Sequence, residues 1–159
     1  MENRDGILQL DDPSLVKLCD LEFTKGTGNG GQKRNKTSSA VRLQLRGTEF
    51  RAEDCSERSQ HRNRAIALRK LRMLVALNVR NSPPQPLPRK DCSLDHDDYP
   101  LYMARLLDWL ACEGGDHRPA AEKLGFSATA LAKKIARDPQ LLTAVNQLRQ
   151  LSGLPPLRG

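Results

Sequence analysis

A glycine-rich segment that leads into one glutamine is the part of this sequence best suited to chemistry. It runs from Gly26 to Lys36, and four of its first six residues are glycines. Because glycine has no Cβ atom, such a backbone can approach a target closely. Gln32 follows the last glycine, and basic residues lie on both sides of it. We therefore expect a loop that enters a narrow, phosphate-lined space.

Three other interpretations of these glycines can be compared with the neighbouring sequence. Gly26, Gly28 and Gly31 have the GxGxxG spacing of a dinucleotide-binding loop, but that site needs a helix to begin at the loop. Here a strand-like pattern follows instead. A phosphate-binding P-loop is excluded because no Gly-Lys-Ser/Thr follows. The remaining alternative is a glycine turn between strands that has only a structural role.

The elements that must position this loop can be predicted from periodicity, caps and turns. Alternation of apolar and polar residues predicts strands on both sides of the loop, and a long amphipathic pattern predicts one packed helix. The predicted elements are a short helix after Asp12-Pro13, strands at 21–24, 40–46 and 48–52, and a helix at 57–79.

Two blocks of this region resemble the catalytic domain of class I peptide chain release factors. The first contains Gly30-Gly31-Gln32 with Asn35, Ser39 and Val41, and the second contains Glu57-Arg58-Ser59-Gln60 with Asn63, Ala67 and Leu71. Both occur in the family's order and at a similar separation. The resemblance covers roughly residues 15–77 and implies an α+β fold.

The resemblance implies hydrolysis of the ester between a nascent peptide and tRNA in the ribosomal peptidyl transferase centre. Gly30, Gly31 and Gln32 would be the catalytic residues, with the backbone N–H of Gln32 facing the oxyanion. The family also implies methylation of Gln32 by a dedicated methyltransferase. No metal or cofactor is expected. Activity would depend on ribosomal RNA and on the peptidyl-tRNA in the P site.

The remaining site residues fall into two predicted groups. Basic and amide side chains that would contact large-subunit rRNA or tRNA are Lys25, Lys33, Arg34, Asn35, Lys36, Arg42, Arg58 and Arg62. Residues that would support the loop are Gly26, Gly28, Ser39, Ser59, Gln60 and Asn63. For each basic residue, a solvated surface position is the alternative.

Only some 25 residues precede the loop, so we expect no stop-codon-reading domain before it. The chain looks more like the short proteins of this type that rescue stalled ribosomes without decoding. The known ones carry a Lys/Arg-rich tail, whereas residues 152–159 are nearly neutral.

Charge is unevenly distributed along the chain. The net charge is +7, which favours an acidic partner such as nucleic acid. Residues 23–80 contain 14 basic and 4 acidic side chains, whereas residues 97–159 contain 8 and 7. We therefore expect polyanion binding mainly in the first half. No secretory signal or membrane-spanning run is recognisable, and four widely separated cysteines are typical of reduced thiols in a cytoplasmic protein.

The second half has the pattern of a small helical module. Helices are predicted at 98–112, 116–124, 127–137 and 139–151, with Gly125 ending the second and Ser127 capping the third. Residues 120–131 are similar to a helix-turn-helix. Lys133, Lys134 and Arg137, which follow this range, could contact phosphates. A plain helical bundle is the alternative. We expect Trp109 in its core.

The sequence thus predicts an α+β protein in which a small sheet, a packed long helix and the Gly-Gly-Gln loop precede an all-α module. The expected domains are 1–80, a proline-rich linker at 81–96, and 97–159. The expected function is codon-independent peptidyl-tRNA hydrolysis on the ribosome by a cytoplasmic monomer with no membrane partner. The alternatives are a non-catalytic RNA-, DNA- or ribosome-binding protein, and a hydrolase triggered by damaged ribosomes or by a decoding partner.

Overall fold

The computed structural model of this chain describes residues 3–24 and 40–159. Its helices and strands confirm the α+β fold predicted from the sequence. In chain order they are α1 (Arg4–Gln9), α2 (Asp12–Lys17), β1 (Cys19–Thr24), β2 (Ala40–Leu45), β3 (Arg51–Asp54), α3 (Gln60–Asn78), α4 (Tyr99–Cys112), α5 (His117–Leu124), α6 (Ala128–Ala136) and α7 (Pro139–Leu151).

The described residues divide into two compact units. The first unit is Gly6–Val75, and the second contains the described residues up to Asp5 together with Ala76–Gly159. The domain boundaries expected from composition stay a prediction. Within the described ranges, no helix combines the length and apolar character needed to cross a membrane.

The first unit is built on a three-stranded antiparallel sheet in the order β1-β2-β3. The central strand buries Val41, Leu43 and Leu45 on one face, as period-2 alternation requires. In α3, Leu68, Leu71 and Val75 are buried too. Each such side chain stabilises the fold by about 1.5–3 kcal/mol relative to exposure.

The second unit packs the helices α4 to α7, and the caps of the last three match the sequence signals. Asp116 caps α5 and Ser127 caps α6. Gly125 ends α5 in the left-handed conformation at φ 72°, which glycine adopts without a Cβ penalty. Asp138 caps α7, which begins at Pro139.

A buried ion pair lies among the helices of the second unit. Arg4 and Asp108 have fully buried side chains, and Arg4 donates from both terminal nitrogens to the Asp108 carboxylate at 2.6 and 2.7 Å. Asn81 N–H donates to the same carboxylate at 3.0 Å. Arg80 lies 3.9 Å away, and burial lowers its pKa to about 10 although Asp108 opposes the shift.

Several element boundaries differ from the prediction. Helix α1 was not predicted, and α2 is capped by Asp11 rather than Asp12. Strand β3 pairs with β2 at Arg51–Asp54 rather than at 48–52, because Thr48 is engaged in the turn through hydrogen bonds with Leu45 and Phe50. Trp109 is only half-buried, and its indole N–H donates to the Gln85 carbonyl at 3.0 Å.

Candidate functional site

The sheet brings the two ends of the predicted catalytic loop together. Thr24, the last residue of β1, is the register partner of Ala40, the first residue of β2. Residues 25–39 therefore connect neighbouring positions at one end of the sheet. The predicted site residues that lie outside the described residues are Lys25, Gly26, Gly28, Gly30, Gly31, Gln32, Lys33, Arg34, Asn35, Lys36 and Ser39.

Arg42 lies on the solvent face of the sheet between two glutamates. It is the cross-strand partner of Glu22 on β1 and of Glu53 on β3. Its guanidinium is 3.6 Å from the Glu22 carboxylate and 3.1 Å from that of Glu53. Two carboxylates thus already accompany this cation, so it is a weaker candidate for a phosphate contact than an unpaired arginine.

The start of α3 is organised by two of the predicted support residues. The Ser59 hydroxyl accepts a hydrogen bond from Arg62 N–H at 3.4 Å, as an N-cap does. The buried Asn63 carboxamide accepts from Glu57 N–H at 2.8 Å and donates to Glu57 C=O at 2.9 Å. Asn63 therefore fixes the backbone of the segment that enters α3.

Asp54 forms a second anchor for the same segment. Its buried carboxylate accepts from Lys70 on α3 at 2.6 Å and from the Ser56 N–H and hydroxyl at 3.0 and 2.7 Å. Burial by itself raises the pKa of Asp54, but the hydrogen bonds from Lys70 and Ser56 outweigh it and hold the pKa below its usual range. Asp54 thus joins α3 to the buried face of the sheet.

Asp54 also lies near the loop in the sheet register. It is opposite Val41, one residue from the position where the loop re-enters the sheet. The ion pair between Asp54 and Lys70 was not predicted from the sequence. The sequence does carry one signal for it, because Asp54 is in phase with the buried positions of β3. A buried charge must be compensated, so a basic partner is expected.

Exposed basic side chains surround the start of α3. Arg58, His61 and Arg62 are exposed. Arg62 makes a long contact of 3.7 Å with the exposed Glu57 carboxylate, which is worth little in water. Among the described residues Arg58 forms no ion pair. Gln60 is exposed at the first position of the helix.

In the second unit, two of the three predicted phosphate contacts are engaged within the chain. Lys134 is 2.5 Å from the Asp91 carboxylate and lies over the Phe126 ring. Arg137 donates to the Cys92 carbonyl at 2.9 Å. Lys133 is exposed and forms no ion pair among the residues that the structure describes. These contacts hold residues 91–92 against α6, which is a structural use of the two side chains.

Comparison with known families identifies the part of the chain that contains this site. Residues 16–93 match the family model of the RF-1 domain. This stretch is an RF-1 domain, the type that forms the catalytic domain of class I release factors. The resemblance inferred from the two sequence blocks is confirmed.

Peptide chain release factors are among the curated relatives that match parts of the chain. One is peptide chain release factor 1 of Salinibacter ruber, 47% identical over 57 residues, which are 35% of this chain and 15% of that protein. Another is peptide chain release factor 2 of Campylobacter fetus subsp. fetus, 40% identical over 68 residues, which are 40% of this chain and 18% of that protein. The chain therefore spans less than a fifth of these relatives' length. No solved structure matches it.

The anchors described above lie inside the RF-1 domain. Asp54, Ser59, Asn63 and Lys70 all fall within residues 16–93, whereas Lys133, Lys134 and Arg137 fall outside it. The candidate site is accordingly the end of the sheet that carries residues 25–39, together with the entry to α3.

Proposed function

We propose that this protein hydrolyses the ester bond of peptidyl-tRNA on the ribosome and so releases the nascent peptide. The observation that carries the proposal is the Gly30-Gly31-Gln32 motif inside a matched RF-1 domain. The pairing of Thr24 with Ala40 supports it, because the sheet holds both ends of the motif's segment side by side.

The proposed chemistry needs an oxyanion stabiliser and a positioned water rather than a protein nucleophile. Attack of water on the ester carbonyl develops negative charge on the carbonyl oxygen. The Gln32 backbone N–H would donate to that oxygen, and its carboxamide would help to order the site. Gly30 and Gly31 would permit the necessary backbone path. Loss of one such donor typically lowers the rate about 10²–10³-fold.

Binding to ribosomal RNA and tRNA would rest on the basic residues of the first unit and its loop. Arg58 and Arg62 are exposed beside the segment that Asn63 and Asp54 hold. Together with Lys25, Lys33, Arg34, Asn35 and Lys36 they would contact phosphates. Arg42 contributes less in this proposal because Glu22 and Glu53 already accompany it.

The finer part of the proposal concerns when and where the reaction occurs. We propose a monomeric cytoplasmic factor that acts on stalled ribosomes without reading a stop codon, with Gln32 methylated by a methyltransferase. The helical segment, predicted as domain 97–159, would recruit it through ribosomal RNA or protein. Of the three candidates in this segment, Lys133 is the one that the contacts with residues 91–92 leave out.

Release of labelled peptide from purified ribosomes tests this function. Complexes would carry peptidyl-tRNA in the P site and mRNA that is truncated, or that continues with a sense or a stop codon. Release from ribosomes on truncated mRNA, in the absence of a stop codon, supports a rescue function. Release only at stop codons contradicts codon independence, and release on none contradicts hydrolysis by this chain alone.

A non-catalytic binding protein is the second candidate, favoured by the basic charge of residues 23–80. Ribosome pelleting and peptide release with wild type and Gln32→Pro, which lacks the backbone N–H, separate the two. A binding protein would pellet equally in both forms and release nothing in either, whereas a hydrolase would lose release in Gln32→Pro while still binding.

A further inference from the structure

The last paired position between β2 and β3 lies beside the segment that contains the Gly-Gly-Gln motif. Asp54, the final residue of β3, is the register partner of Val41. Val41 directly follows Ala40, the residue at which the chain re-enters the sheet after residues 25–39. A contact that fixes the end of β3 therefore also fixes the part of β2 on which that segment ends.

Lys70 of α3 holds the end of β3 through two neighbouring residues. Its ammonium donates to the Asp54 carboxylate at 2.6 Å and to the Glu53 carbonyl at 3.2 Å. The Glu53 carboxylate lies 3.1 Å from the Arg42 guanidinium. Helix α3 is thus connected to both residues of β3 that pair with the first positions of β2, Val41 and Arg42.

Asp54 occupies a position at which stability alone does not call for a charge. The buried residues of β3 are Ala52 and Asp54, which are 7% and 6% exposed. A carboxylate loses its hydration at such a position, and replacing a buried ion pair with apolar side chains often leaves stability unchanged or raises it. A carboxylate does offer directed bonds, and Asp54 uses them to hold Lys70 and the Ser56 N–H and hydroxyl.

We propose that Asp54 and Lys70 are positioning residues for peptidyl-tRNA hydrolysis, an inference that rests on the function proposed above. Neither side chain touches the substrate. The pair fixes the end of the sheet from which residues 25–39 extend, and it thereby sets the placement of Gln32. Because a misplacement of about 1 Å can cost about 10²-fold in rate, a fixed loop base is worth the desolvation of one carboxylate.

Replacement of the pair by apolar side chains separates positioning from stability. In the double variant Asp54→Val with Lys70→Met, the exposed Ser56 is solvated by water, so thermal unfolding should occur at the wild-type temperature or above it. We expect the single-turnover release rate at saturating protein to fall about ten-fold or more. The concentration for half-maximal rate should change less than two-fold, since Asn63 still holds Glu57 beside the exposed Arg58.

Hydrogen exchange in the free protein gives a second arm that does not depend on hydrolysis. In the double variant we expect the amides at 23–24 and 40–41 to exchange about ten-fold faster, because the end of the sheet opens locally more often. The Leu43 amide, in the middle of β2, should keep its wild-type exchange rate. Ser56→Ala, which removes one hydroxyl donor from Asp54 at an exposed position, should give smaller changes of the same kind.

The matched control is an ion pair that ties the same helix to a different element. Arg72 of α3 lies 2.8 Å from the Asp12 carboxylate of α2, and Asp12→Ala with Arg72→Leu should leave the saturating release rate within two-fold of wild type. Unchanged exchange at 40–41, a double-variant rate within two-fold of wild type, or a rate that falls only in parallel with stability would overturn the positioning role. No release by wild type would instead contradict the proposed function itself.

Discussion

At the scale of single residues, Asp108 is the fully buried carboxylate that accompanies the buried Arg4 guanidinium. It accepts from Arg4 twice and from Asn81 N–H, and its side chain is fully buried. The value of such a pair lies less in its net attraction than in the cost of leaving one partner uncompensated.

We expect Asp108→Asn to lower the free energy of unfolding by up to roughly 3–5 kcal/mol, because the buried Arg4 cation would lose the fully buried one of its two carboxylate partners and keep only Asp5. Urea unfolding followed by the fluorescence of Trp109, the one tryptophan of the sequence, measures it. The matched control is Asp98→Asn, whose pair with Arg89 is exposed and should cost at most about 1 kcal/mol. Equal losses in both variants would contradict the account.

His117 makes the stability of the same unit depend on pH. Burial lowers its pKa, and the nearby Arg149 charge lowers it further, against the opposing effect of Asp116 and a smaller lowering effect of Arg118. A histidine whose pKa is lower in the folded state binds fewer protons there than in the unfolded chain. Stability is then lost as the pH falls below about 6.5, the ordinary histidine pKa.

We therefore expect the free energy of unfolding to fall between pH 7.5 and pH 5.5, and His117→Gln to reduce that fall. Trp109 fluorescence in urea at the two pH values gives the comparison. If the free energy of unfolding falls by the same amount in the variant and in the wild type, the pKa of His117 is not lowered by folding. The effect assigned to burial and to the Arg149 charge would then be wrong.

At the scale of elements, the entry to α3 is the support of the candidate site. Asn63 satisfies both backbone groups of Glu57, and Asp54 bonds the same segment through Ser56. The two side chains reach this segment from different elements, so its backbone is fixed from the helix and from the sheet.

We expect Asn63→Ala to cost about 1–3 kcal/mol, since it leaves the Glu57 N–H and C=O without their partner. Asn63→Asp serves as the matched variant, because it keeps the acceptor and loses the donor to the Glu57 carbonyl. Thermal unfolding and single-turnover peptide release would both be measured. Variants that remain as stable as the wild type would exclude a supporting role for this residue.

Local signals explain which elements could be predicted from the sequence. Caps at Asp116, Ser127 and Asp138 and the glycine at 125 mark the helix ends closely, because each acts on its own backbone neighbours. Helix α1 was missed because six residues that include Gly6 carry no such signal, and Arg4 is held by distant partners. The Asp54–Lys70 pair was missed because it depends on the sheet register.

At the scale of the whole molecule, basic charge is concentrated in residues 23–80, so the proposal assigns most of the phosphate contacts to this half of the chain. We expect Arg58→Gln with Arg62→Gln to weaken ribosome binding and to reduce its salt dependence by about two units of slope, one for each phosphate that the variant no longer neutralises. The matched control is Lys90→Gln with Arg118→Gln, which removes two exposed charges from the second unit. Equal effects of the two pairs would mean that net charge, not location, decides binding.

Single-turnover peptide release by Gln32→Pro, which removes the backbone N–H assigned to the oxyanion, is the measurement that tests the central claim most directly. Wild type, Gln32→Pro, Gln32→Ala and the surface control Gln147→Ala, an exposed glutamine of α7, would be added at saturating concentration to ribosomes stalled on truncated mRNA. We predict wild-type rates for Gln147→Ala, a smaller loss for Gln32→Ala, which removes only the carboxamide, and a loss of about 10²-fold or more for Gln32→Pro. A Gln32→Pro rate within two-fold of wild type would contradict catalysis by this motif.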